Sequence, residues 1–123
     1  MNKQVGKSQE DYLKAILIQI KTAGACRMTD VADRLGFSKS STSTAIKKLE
    51  DEGFVIRDNW RILLTDKGLE IAESLYEKYV FFKDLLIRCG VDEDTASSAA
   101  CLFEHDISDD SFEKLKSSVV CRN

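Results

Sequence analysis

A mainly α-helical protein with one small β-hairpin is what this sequence predicts, and three observations predict it. Residues 28–53, MTDVADRLGFSKSSTSTAIKKLEDEG, read as helix, tight turn, helix. Two β-prone runs, Phe54-Val55-Ile56 and Arg61-Ile62-Leu63-Leu64, flank an Asp58-Asn59 turn signal. From Thr65 onward, apolar residues recur at helical spacing almost to the end. The pattern implies a first domain over 1–64, a helix-turn-helix with a hairpin wing, and a second, all-helical domain over 65–123.

Each element has its own signals. Ser8 is placed to begin the first helix, whose stripe is Tyr12, Leu13, Ile16, Leu17 and Ile20, and Thr22 to Gly24 end it. Arg27 stands exposed between apolar Cys26 and Met28, a faint signal for a third strand. Thr29 can cap a short helix carrying Val31, Ala32 and Leu35 on one face, with Gly36 ending it. Ser38 caps the next helix, in which Thr42, Ala45, Ile46 and Leu49 point inward and Gly53 suits a left-handed end. After Thr65, one helix runs through LTDKGLEIAESLYEKYVFFKDLLIRCG to Gly90, a length of roughly 36 Å at 1.5 Å per residue. Two shorter helices follow, from Glu93 to Asp106 capped by Asp92 and from Asp109 to Val120 capped by Ser108.

The outer face of the helix after Ser38 is the informative one. It carries Lys39, Ser40, Ser41, Ser43, Thr44, Lys47 and Lys48, with no acid between Gly36 and Leu49. Small hydroxyls reach base edges and phosphates, and lysines neutralise phosphate, as a recognition helix in a major groove must. Arg57 and Arg61, with Trp60 between them, suit contact with the backbone beside the groove. The plain alternative is a solvated, serine-rich helix face. Charge distribution favours the nucleic-acid reading: the net −3 of the chain divides into +3 over 1–64 and −6 over 65–123.

Composition bounds the rest. With 123 residues, 43% hydrophobic and 32% charged, the chain has the balance of a soluble globular protein and no run near the roughly 20 apolar residues of a membrane span. The polar opening MNKQVGKSQEDY is no signal peptide, so a cytoplasmic location is expected. Cys26, Cys89, Cys101 and Cys121 lack C-x-x-C spacing and are expected to be reduced. No Gly-rich phosphate loop, paired acid-base constellation or nucleophile elbow argues for an enzyme. The long helix overruns a small winged domain, and the last two helices are too small to form a core alone, so these segments are expected to build a homodimer interface. Two recognition helices would then read a palindromic operator in double-stranded DNA.

The segments SQEDYLKAI, TDVADRLGFSKSSTSTAIKKLEDEGFVIRD, LTDKG, GVDED and CLFEHDIS, in this order, resemble the diphtheria toxin repressor and manganese transport regulator family over nearly the whole chain. The resemblance implies bacterial homodimeric repressors that bind operators when loaded with iron or manganese, here in the short form without an SH3-like third domain. It also places Thr44 among the base-contacting residues. Cys101, Glu104 and His105 lie at i, i+3 and i+4 on one helix, so thiolate, carboxylate and imidazole project from one face, as a transition-metal site requires. Asp11 falls where the family has a first-helix ligand. Such a donor set suits Fe²⁺, Co²⁺, Ni²⁺ or Zn²⁺ better than Mg²⁺ or Ca²⁺, and lacks the all-oxygen character favouring Mn²⁺.

Departures from the family pattern bear on a second metal position. Tyr79 and Lys83 replace a histidine and an acid, Lys14 replaces a glutamate of the manganese branch, and Ser97 replaces a histidine of the iron branch. Protonated lysines repel cations, so one ion per subunit is expected. The residues by themselves have other readings. Asp11 with Ser8 forms an S-x-x-D capping pattern, Cys101 is a small core residue, and Glu104 with His105 is a polar helix end. The function expected is a metal-controlled, sequence-specific regulator; the alternative is a metal-independent regulator of the same fold, in which Lys14 or Lys83 supplies fixed positive charge.

Overall fold

In the computed structural model, which describes residues 6–121, the element order is α1 (Lys7–Ala23), α2 (Met28–Leu35), α3 (Lys39–Asp51), β1 (Val55–Asp58), β2 (Arg61–Leu64), α4 (Asp66–Arg88), α5 (Glu93–Asp106) and α6 (Asp109–Cys121). The mainly helical class expected from the sequence is the one found. Two compact units divide between Glu73 and Ser74, inside α4.

In the first unit, α1 packs against α2, α3 and β2, and α3 against β1. The stripes meet in a core where Leu13, Ile16, Val31, Ile46, Leu49 and Ile62 are at most 1% exposed. Burying each such side chain stabilises by about 1.5–3 kcal/mol. The hairpin pairs Val55 with Leu64 through Asp58 with Arg61, leaving Asn59 and Trp60 as its loop. Asn59 takes the left-handed conformation, φ 58°, which asparagine tolerates better than most residues.

Two helix starts differ from expectation. Gly6, not Ser8, is the N-cap of α1, and its N–H donates to Gln9 Oε1 at 3.3 Å. Arg27, not Thr29, caps α2, because Asp30 three residues on can reach back and accept from the Arg27 N–H at 2.9 Å. That early start also cuts short the expected third strand. What remains is a single antiparallel bridge, Arg27 with Arg61, and the Ile62 N–H donating to the Cys26 carbonyl at 2.8 Å.

The LTDKG segment joins α4 to the end of α3. Thr65 Oγ1 donates to the Gly53 carbonyl at 2.7 Å and accepts from the Gly68 N–H at 3.1 Å, while the Thr65 N–H donates to the Phe54 carbonyl at 3.1 Å. Lys67 adds a bond to the Glu52 carbonyl at 3.2 Å and lies over the Phe54 ring. A threonine cap and a side-chain-free glycine thus let the first turn of α4 press against the α3–β1 turn.

The second unit has its own core of Phe82, Ala100 and Phe112, with Phe81 edge-on to Phe82 and Phe112, each at 5.3 Å. Lys78, 6% exposed, donates to the Ile107 carbonyl at 2.9 Å and pairs with Asp109 at 2.8 Å, tying the α5–α6 turn to α4. Asp92 and Ser108 cap α5 and α6 as expected. The Thr95 amide and hydroxyl hold the Asp92 carboxyl below the usual carboxylate range. This cap therefore contributes above the unfolded pKa and is lost as pH falls through the lowered native value.

Cys26 is 1% exposed, and burial, helped by Asp30, pushes its thiol up to about 12. Native protein treated with iodoacetamide at pH 8 should be alkylated at exposed Cys89 and Cys101, with Cys26 reacting more than about 1,000-fold slower until urea is added. Peptide mass spectrometry reads this directly, and early labelling of Cys26 would contradict the buried site. The Cys121 side chain lies outside the described residues.

Candidate functional site

The first unit presents a hydroxyl-rich, cationic surface on α3. Thr42, Ile46 and Leu49 are buried, which turns Lys39, Ser40, Ser41, Ser43, Thr44, Lys47 and Lys48 outward, all exposed. Ser38 is exposed too, but its Oγ is used as the cap, accepting from the Ser41 N–H at 3.0 Å. Thr44 Oγ1 donates to the Ser40 carbonyl at 3.1 Å, so a lone pair is left to accept from an amino group at a base edge. Lys47 lies 3.8 Å from Asp51 with both side chains largely exposed. A pair like that is worth about 0–1 kcal/mol and yields readily to a phosphate.

Beneath this face the Thr42 hydroxyl is fully buried with no hydrogen-bond partner among the described residues. Arg57 and Arg61 are exposed on the hairpin as expected, and Arg61 is held by Asp58 at 2.8 Å. Arg27, which sequence reasoning noted only as a strand signal, joins them: its guanidinium lies 4.6 Å from the centre of the Trp60 ring. The alternation Cys26-Arg27-Met28 was the one signal that pointed to it.

The second unit holds Cys101, Glu104 and His105 on α5. Glu104 belongs to the buried stripe with Ala96 and Ala100. His105 Nε2 is 3.3 Å from Glu104 Oε2, and their side chains are 4% and 0% exposed. They are therefore no solvated helix end. Cys101 lies one position past Ala100, at the edge of the stripe, and is exposed and outside any disulfide, so the core reading does not fit it. Asp11 is half-buried on α1 of the first unit. With the α1 cap at Gly6 and Gln9, it lies beyond the capping residues.

A carboxylate without solvent exposure calls for positive charge close by, and an imidazole beside it supplies a second donor of the type transition metals favour. These residues fit such an ion. The positions that depart from the family pattern are engaged otherwise. Tyr79 Oη and Ser97 Oγ are hydrogen-bonded at 2.9 Å, and Lys83 pairs with Glu93 at 3.5 Å. Phenol, hydroxyl and ammonium make a poor donor set for a divalent cation. Lys14 is buried, 8% exposed.

Residues 4–61 match the family model of the iron dependent repressor N-terminal DNA binding domain, and residues 65–119 match its metal binding and dimerisation domain. An uncharacterised HTH-type transcriptional regulator of Methanocaldococcus jannaschii is 36% identical over 115 residues, 91% of this chain and 92% of its own length. The HTH-type transcriptional regulator MntR of Listeria welshimeri is 30% identical over 109 residues, 88% of this chain and 77% of its own. The solved structure of the manganese regulator SloR superposes with a TM-score of 0.77 at 30% identity, over 90% of this chain. The match covers 53% of the SloR chain, so this chain spans about half the length of that relative.

Proposed function

The chain belongs to the iron-dependent repressor family, and from that membership we propose a homodimeric repressor whose binding to an inverted-repeat operator is controlled by one divalent transition-metal ion per subunit. The family is one of transcriptional repressors, not enzymes. No described helix is long and apolar enough to cross a membrane. The observation that carries the DNA part is the outer face of α3, free of acids from Lys39 to Lys48, over the buried Thr42, Ile46 and Leu49.

In the dimer, two copies of α3 enter successive major grooves about 34 Å apart. Exposed apolar side chains of the second unit, Val80, Ile87, Leu102 and Phe103, supply surface for a partner subunit. Asp11, Cys101, Glu104 and His105 would hold the ion, which supplies positive charge to donors that are otherwise anionic or neutral. Fe²⁺ or a similar borderline ion suits a thiolate and imidazole better than Mn²⁺ does.

A second reading, metal-independent control, draws support from Lys83, engaged by Glu93, and from buried Lys14, amine side chains at positions where relatives carry metal ligands. Operator binding measured with metal and with chelator, at fixed salt, separates the two. Metal should strengthen binding at least tenfold; equal affinity would move the function to the second reading. On the selected operator, Thr44→Ala should relax preference at one base pair per half-site, whereas Lys47→Ala should weaken binding to all sequences and lower the salt dependence. Lys47→Ala acting on base preference alone would overturn the assignment of this helix face.

A further inference from the structure

Beside the α3 face, the first unit contains a cleft of about 340 Å³ at the foot of α2, lined by Arg27, Arg57, Trp60 and Arg61 among others. Arg27 is held there from two sides. Its backbone bridges to Arg61 and its N–H donates to Asp30, while its side chain remains exposed. The guanidinium stacks over Trp60 at 4.6 Å, and Arg61 approaches the same ring at 6.0 Å. Among the described residues neither Arg27 nor Arg57 has a carboxylate ion-pair partner, whereas Arg61 has Asp58. Stacking fixes the plane of a guanidinium and leaves its edge donors pointing outward, the arrangement that takes two oxygens of one phosphate.

We propose that this cleft seats a backbone phosphate of duplex DNA, with Arg27 as the anchoring side chain. This rests on the DNA-binding reading above and extends the backbone contact expected of Arg57 and Arg61 to Arg27 and the cleft it lines. A cationic cleft on the same unit as the α3 face, with an aromatic floor and two guanidiniums that have no carboxylate partner among the described residues, complements the charge of a phosphodiester and has room to admit one. Because every nucleotide carries that group, the contact adds affinity and salt sensitivity without reading sequence. The Asp30 cap uses the Arg27 backbone alone, so replacing the side chain leaves the start of α2 intact.

The test titrates the full-length chain with a labelled mixed-sequence duplex over a series of KCl concentrations. Arg27→Ala should lower affinity about three- to tenfold at fixed salt and reduce the log–log salt slope by about one, with no change in thermal midpoint. Arg27→Lys, which keeps the charge and loses the stacked fork, should retain the slope and recover only part of the affinity. If wild type and Arg27→Ala bind alike while Lys47→Ala weakens binding, the phosphate seat is wrong and the DNA-binding reading stands. If wild type binds no duplex at any salt, that reading itself falls. Displacement of the duplex by inorganic phosphate at constant ionic strength would overturn the proposal in favour of a free phosphoanion.

Discussion

Gly68→Ala should lower the thermal midpoint by about 10–20 °C, the equivalent of roughly 2–4 kcal/mol for a domain of this size. The sign is the opposite of the usual one, since alanine in place of a helical glycine ordinarily gains about 1 kcal/mol. Here the added Cβ would stand 2.1 Å from the Phe54 carbonyl oxygen and 3.0 Å from its carbon. The carbonyl cannot swing aside cheaply, because it also accepts from the Thr65 N–H. Thr65→Ala, which removes the cap and its bond to Gly53, should cost less, about 1–2 kcal/mol. Differential scanning calorimetry on both variants checks the order. An unchanged or raised midpoint for Gly68→Ala would show that α4 can lift from the α3–β1 turn without loss.

Titration of metal-free protein with Co²⁺ should saturate at about one ion per subunit and show thiolate charge-transfer absorption, which Cys101→Ala abolishes. Glu104→Gln should weaken binding by about 100-fold or more, because it removes the charge of a carboxylate with no solvent exposure while keeping its shape. Two ions per subunit would show that the Tyr79–Ser97 and Lys83–Glu93 contacts do not displace a second site. Binding that survives in both variants would remove Cys101 and Glu104 from the ligand set.

The long-period features of this fold were legible in the sequence because burial enforces them. The inward residues Thr42, Ile46 and Leu49 of α3, the hairpin and the caps at Ser38, Asp92 and Ser108 all lie where spacing and turn chemistry placed them. The starts of α1 and α2 were less legible. Each offers two candidate caps within one turn, and the choice depends on which later side chain reaches back: Gln9 to Gly6, Asp30 to Arg27.

For the candidate site, outward residues of α3 could be named from periodicity, whereas the stacking of Arg27 on Trp60 joins positions 33 apart and carries no local signal. The same holds for Tyr79 with Ser97. Substitution at both positions was visible, but not that the two new side chains bond to each other. Burial of Glu104 was likewise hidden, since a carboxylate in a polar segment reads as solvated until the helix is placed.

Trp60 is the only tryptophan of the chain, and it stands half-exposed in the hairpin loop. Emission excited selectively at the indole, beyond the absorption of the three tyrosines, is therefore a local gauge of the wing. An indole already in contact with water has little red shift left to undergo on denaturation, so intensity, altered as the Arg27 guanidinium leaves the ring, is the more informative signal. The aromatic cluster of Phe81, Phe82 and Phe112 contributes nothing to it. Ellipticity at 222 nm, by contrast, averages over the described helices of both compact units. Agreement of the two denaturation midpoints would mark a single cooperative transition, and their separation would resolve the stability of the DNA-binding unit from that of the rest.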